Sequence, residues 1–135
     1  MSENVEFVQP KHFAAPRGYS NGAIVRGWTL HVGGQIGWDA QQEFQTDDFA
    51  EQFAQTLDNV LAIVAAAGGK PEDIASMTIF VTDLDKYRAA AKSLGPIWRE
   101  RLGKHYPAMA LVGVAGLVEP RALMEIQAVA ALADA

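Results

Sequence analysis

Between Phe49 and Val64 the apolar residues Phe49, Phe53, Leu57, Val60, Leu61 and Val64 fall on one helical stripe, the clearest periodic signal in the chain. Asp47 or Asp48 can cap the free amides at its start, and Gly68-Gly69, with Pro71 shortly after, marks its end. Met77, Ile79 and Val81 alternate with Thr78, Phe80 and Thr82, which predicts a strand buried on both sides. A second helix is expected from near Leu84, capped by Asp83, presenting Tyr87, Ala91 and Leu94. Gly95-Pro96 should kink or restart it before Ile97, Trp98 and Leu102 continue the apolar face. Met109 to Val114 and Leu123 to Val129 then read as two strands joined by a polar turn at Glu119, Pro120 and Arg121.

Ahead of the first helix the pattern is weaker. Val5 to Val8 alternates as a short strand, and Pro10 and Pro16 bracket an irregular segment. Arg17 to Gly22 reads as an exposed loop ending in the turn dipeptide Asn21-Gly22. Ala23 to Val25 and Thr29 to Val32 have the pattern of a hairpin around Arg26-Gly27. Gly33-Gly34-Gln35-Ile36-Gly37 ends its second strand, with three glycines where a backbone bends or lets something approach closely. Trp38 to Gln45 reads as loop. Strands, helix, strand, helix and two strands make an α+β layout, a mixed sheet with two helices on one face. The last two strands carry apolar residues on both faces, so the uncovered face is expected to meet another subunit.

Length and composition narrow the functions. The 135 residues suit a single domain over 1–135. The net charge of −5 disfavours a nucleic-acid partner, which would need clustered Lys and Arg. The absence of cysteine excludes disulfides, thiol nucleophiles and thiolate metal sites. There is no basic and apolar signal at the N-terminus, and the longest apolar run, Leu61 to Gly69, is too short to span a bilayer; no membrane association is expected, and the default compartment is the cytoplasm.

His12, His31 and His105 have no metal-ligand spacing, so no metal site is expected. No Gly-x-Ser-x-Gly elbow is present, and the glycine run at Gly33 matches neither dinucleotide nor Walker loops. No cofactor is expected. Glu125 stands out, because it shares a strand with Met124, Ile126 and Val129, two residues from Gln127 and on the same face. Two readings fit it: a strand carboxylate satisfied by a backbone amide or a neighbouring Arg, or a buried catalytic carboxylate. Tyr19, beside glycine, is either a surface loop aromatic or a pocket wall. Arg121 is most simply solvated, though a turn Arg near Glu125 could bind an anion. Arg99-Glu100-Arg101 reads as a solvated helix face.

Six short stretches occur in order: Gly18-Tyr19-Ser20, Val32-Gly33-Gly34-Gln35-Ile36, Gln55-x-Leu57-x-Asn59-Val60, Thr78-x-x-Val81-Thr82-Asp83, Tyr106-Pro107-Ala108 and Met124-Glu125-Ile126-Gln127-Ala128. From about Pro16 to Ala130 the chain thereby resembles the RidA/YjgF family of imine and enamine deaminases. The resemblance implies a chorismate-mutase-like fold, a homotrimer whose sheets form a central barrel, and small-molecule clefts between subunits. In deaminating members an Arg directly after Pro-Ala holds the substrate carboxylate, and the first Glu of the last strand positions the hydrolytic water. Here the Glu is kept as Glu125 and the cleft Tyr as Tyr19. The Arg position is Met109, the usual Ser of the glycine motif is Gly33, and the second Glu is Gln127.

Replacing Arg by Met removes a charge-assisted bond of about 1.5 to 3 kcal/mol, about one to two decades in affinity. A substrate read through its carboxylate, such as 2-aminoacrylate, is then expected to bind poorly. A roomier, more apolar cleft at Met109 and Gly33 suits a larger or neutral ligand, while Met109 as mere packing is the alternative. The first functional expectation is a RidA-like hydrolase of an imine, enamine or related metabolite, with Glu125 activating water and Tyr19, Gly33, Met109 and Arg121 around the substrate. The alternative is a non-catalytic, small-molecule-binding or regulatory trimer; an endoribonuclease or translation inhibitor ranks third.

Overall fold

The first helix, α1 (Phe49–Ala66), forms where the stripe predicts it. Asp48 caps it, its carboxylate accepting from the amide of Glu51 at 3.0 Å, and the amides of Gly68 and Gly69 close the far end on the carbonyls of Ala65 and Val64. Leu57, Val60 and Val64 are fully buried, each worth about 1.5 to 3 kcal/mol against exposure. The computed structural model, which describes residues 2–134, adds the strands β1 (Val5–Val8), β2 (Gly22–Val25), β3 (Trp28–Ile36), β4 (Ile74–Val81), β5 (Ala108–Gly113) and β6 (Met124–Leu132), and the helix α2 (Leu84–Leu102).

The helix α2 runs through Gly95-Pro96 without a break. A proline inside a helix costs about 3 kcal/mol. Burial of Leu94, Trp98 and Leu102 on the same stripe contributes about 1.5 to 3 kcal/mol each, so packing outweighs the local penalty. Arg101 also departs from the expected solvated face. Its Nε donates to Asp58 Oδ1 at 2.7 Å and its Nη2 to Oδ2 at 3.4 Å, tying α2 to α1.

The main sheet has the order β3-β6-β4-β5, with β6 antiparallel to both neighbours and β4 parallel to β5. Both helices pack on one face, over Val32, Met77, Ile79, Met124, Ile126, Ala128 and Ala130. Neither expected hairpin forms. The last two strands are separated by β4, because β4, α2 and β5 make a parallel crossover and β6, apolar along much of its length, takes the central place with a partner on each side. β2 pairs with β1 instead of β3, giving a separate two-stranded ribbon. Between them Gly27 has φ +95, and the carbonyl oxygen of Leu132 lies where any Cβ would be; only glycine lets the chain turn from one sheet into the other there. The glycine run does more than end β3, which stops at Ile36 before Gly37: Gly33 and Gly34 sit inside the strand as a bulge between Val32 and Gln35.

The sheet face away from the helices is covered at one end by the ribbon, where Val5, Phe7 and Ala23 pack on Ala75 and Ala131. The remainder is open. Among the described residues no helix is long and apolar enough to cross a membrane.

Candidate functional site

Glu125 lies on the open face. It pairs in register with Phe80 of β4 and Ile36 of β3, while its neighbours Met124 and Ile126 point into the core. Its side chain rests against the glycine bulge. A Cβ on Gly34 would sit 2.7 Å from the Glu125 carboxyl carbon and overlap Oε2, so the close approach that the glycines suggested is made by Glu125 itself. Gly33 has open space where its side chain would be. The carboxylate is half-buried, and among the described residues neither an amide nor an Arg partners it. A shallow hollow of about 350 Å³ continues along this face past Gly33, His31, Ser76, Thr78 and Gln127.

Met109 is elsewhere. It pairs with Met77, on the helix side of β5, and lines a groove of about 220 Å³ between β5 and α2 with Tyr87, Leu94, Trp98, Tyr106 and Leu111. Trp98 and Tyr106 stack with their rings 7° from parallel and 6.1 Å apart, and Trp98 Nε1 donates to the carbonyl of His105 at 3.0 Å, which fixes this wall. The loop carrying Tyr19 is fastened beside it. Ser20 Oγ donates to the Tyr106 carbonyl at 2.6 Å and the Ser20 amide to the Pro107 carbonyl at 3.0 Å, bringing Gly18 to the groove and leaving Tyr19 41% exposed next to it.

Arg121 is engaged away from both. Its Nη2 meets Asp47 Oδ1 at 2.9 Å, and its guanidinium carbon lies 5.3 Å from the centre of the Phe44 ring. There it ties the loop before α1 to the turn before β6. Gln52, fully buried and not singled out by the sequence reading, strengthens the same junction. Its Nε2 donates to the carbonyls of Thr46 and Arg121, and its Oε1 accepts from the amide of Leu123, each near 3 Å. A polar residue within an apolar helix stripe was the available signal. Asp39 organises the loop after β3: its carboxylate accepts from the amides of Glu43 and Gln41 and from Gln45 Nε2, which holds its carboxyl below the usual carboxylate range.

One chain therefore brings Glu125 together with Gly33 and Gly34, and Met109 together with the Tyr19 loop, but keeps the two sets apart. They lie on opposite faces of the sheet. Along β4 their partners Phe80 and Met77 are three residues apart, roughly 10 Å. β3 and β5 form the two edges of the sheet. Another hollow, about 600 Å³ near Ser2, Lys70 and Asp134, contains neither set. Its buried Asp73 is already bonded by Ser2 Oγ at 2.6 Å and the Lys70 amide at 2.8 Å. Among the described residues no three His, Asp or Glu side chains gather as metal ligands would.

Comparison with known proteins fits this architecture. The family model described as endoribonuclease L-PSP matches residues 10–132. The chain belongs to this family, that of the RidA/YjgF proteins. A structure from Yersinia pestis, described as a protein of unknown function of the conserved Rid family, superposes with a TM-score of 0.84 at 28% identity, covering 96% of this chain and 99% of that one. The structure of the Escherichia coli YjgF gene product gives a TM-score of 0.68 at 35% identity, covering 84% and 87%. A 2-iminobutanoate/2-iminopropanoate deaminase of Salmonella typhimurium is 36% identical over 97 residues, 72% of this chain and 74% of the relative.

Proposed function

We propose that this RidA/YjgF-family chain hydrolyses 2-imino acids, and the enamines that tautomerise to them, to 2-oxo acids and ammonia, with Glu125 as the general base. The observation that carries this reading is a half-buried, unpartnered carboxylate lodged against a glycine bulge at the rim of an open sheet face. Lacking an Arg or amide partner, the carboxylate has no structural task within the chain, and its lone pairs are available to a water. That water, its proton drawn to Glu125, attacks the C=N carbon to form a tetrahedral aminocarbinol. The protonated Glu125 returns that proton to the nitrogen; the carbinol hydroxyl proton then passes to the nitrogen by way of the freed carboxylate, the C–N bond breaks, and ammonia leaves as the carbonyl forms. The names of several relatives as 2-iminobutanoate/2-iminopropanoate deaminases support the reaction class.

The split between the two sets of residues supports a site shared by two copies in a homotrimer, Glu125 and Gly33 from one and Tyr19 and Met109 from the next. Arg121 has no part in it, since Asp47 and Phe44 hold its guanidinium. The test is ammonia release from enzymatically generated 2-imino acids. Wild-type protein exceeds buffer and Glu125→Ala does not; equal rates for the two proteins reject the reading. Met109 in place of Arg favours one second reading, a trimer that binds small molecules without turnover. Under it both proteins are inert while imino-acid analogues still raise the melting temperature.

A further inference from the structure

The groove beside Met109 presents no charged side chain among the groups that line it, and the exposed guanidinium of Arg99 lies against one of those groups, Gly95. Ala91, Gly95 and Arg99 follow one another at four-residue spacing along α2, and Ala91 and Gly95 line the groove. From the point a Cβ on Gly95 would occupy, Arg99 Nη1 is 3.2 Å away, and Cζ and Nη2 are each 3.8 Å away. The Arg99 side chain therefore folds back over the bare backbone of Gly95 to the groove's edge. Among the described residues that guanidinium makes no hydrogen bond or ion pair, in contrast to Arg101, which is held by Asp58. Glycine in the body of a helix is unfavourable, and here it is what gives the guanidinium its place.

We infer that Arg99 is the carboxylate-binding residue of this chain, and that the groove takes the substrate's bulky apolar side chain. This rests on reading the groove as the substrate wall of the proposed site. A planar guanidinium offers two parallel N–H donors to a carboxylate. The Trp98–Tyr106 stack, Leu94, Leu111 and Met109 offer an apolar slot below it. Together they select an α-imino carboxylate with an aromatic or branched side chain over one with a methyl group.

The alternative role of Arg99 is to complement the C-terminal end of the helix dipole. Arg99→Lys separates the two, because it keeps the charge at the helix end and removes the planar two-donor fork. Binding of 3-phenylpropanoate, its neutral amide and propanoate to the full chain is measured by isothermal titration. The wild type is expected to bind 3-phenylpropanoate about tenfold more tightly than either of the others. Arg99→Gln should remove the advantage over the amide and Arg99→Lys should shrink it several-fold. Retention of the advantage in both variants, or its absence in the wild type, overturns the inference. Since no turnover is needed, a protein that shows this discrimination but releases no ammonia refutes the deaminase reading alone, and one that releases ammonia with unchanged discrimination in both variants refutes this inference alone.

Discussion

The two faces of the main sheet are built for different tasks. On the open face a carboxylate sits on bare backbone at Gly34 with no partner among the described residues, and a hollow lined by Gly33, Thr78, Gln127 and His31 continues along the same face. On the helix face Met109 lies in an apolar groove whose walls are braced by a stacked Trp98–Tyr106 pair. In the proposed reading the first face supplies the base and the second the grip on the substrate. The sheet between them keeps the two sets apart within one chain, so the proposed site needs a second copy.

The largest effect should come from the base. Glu125→Ala is expected to lower ammonia release by about 10² to 10⁴-fold with an unchanged melting temperature, since the carboxylate supports no bond inside the chain. Gly34→Ala sharpens the same point. Its Cβ would displace the Glu125 carboxyl group, and a shift of about 1 Å costs on the order of 10²-fold in rate. Gly33→Ser, by contrast, has open space and should leave the melting temperature unchanged.

On the helix face, Met109→Arg should add a carboxylate fork. The KM for small 2-imino acids is expected to fall by about tenfold, and binding of bulky ones to weaken as the slot fills with charge. Preference for bulky substrates that survives this change would contradict the division of labour between the faces. Gln52→Ala tests what holds the faces in register. It strips three hydrogen bonds at the start of β6 and should cost about 2 to 4 kcal/mol, read as a drop in the denaturant midpoint.

The smallest effect concerns Asp39. Its carboxyl is held below the usual range, chiefly by the Glu43 amide, so the charged form favours the folded state. That contribution is present above the ordinary carboxylate range and is lost as pH falls through it. Asp39→Asn should lower the melting temperature slightly at neutral pH, with the difference from wild type vanishing in acid.

Both helices and the strands of the main sheet were legible in the sequence because each rests on a local period that packing reinforces. Pairing was not. Nothing local tells Leu123 to Val129 that β4 will lie between it and β5, and the Glu119-Pro120-Arg121 turn imitates a hairpin. The glycine run showed that something would come close, though not that Glu125 would be the visitor. Arg99 reads as solvated and is exposed; what the sequence does not show is that the fold sets Gly95 beneath its guanidinium and a groove beside Gly95. Family resemblance supplied Glu125 and Met109 as a pair, and the register of β4 shows that within one chain they are not neighbours.

That separation is the central claim, and mixing two inactive proteins tests it most directly. Glu125→Ala leaves the groove intact, and Ala91→Trp fills the groove while leaving the base. Denatured together in equal amounts and refolded, they should recover about a quarter of wild-type ammonia release, the share of random neighbours pairing an intact base with an intact groove. Variants refolded apart and then assayed as a mixture should stay inactive. If the co-refolded protein is as inactive as its parents, base and groove do not meet between chains, and the account of a shared site is wrong.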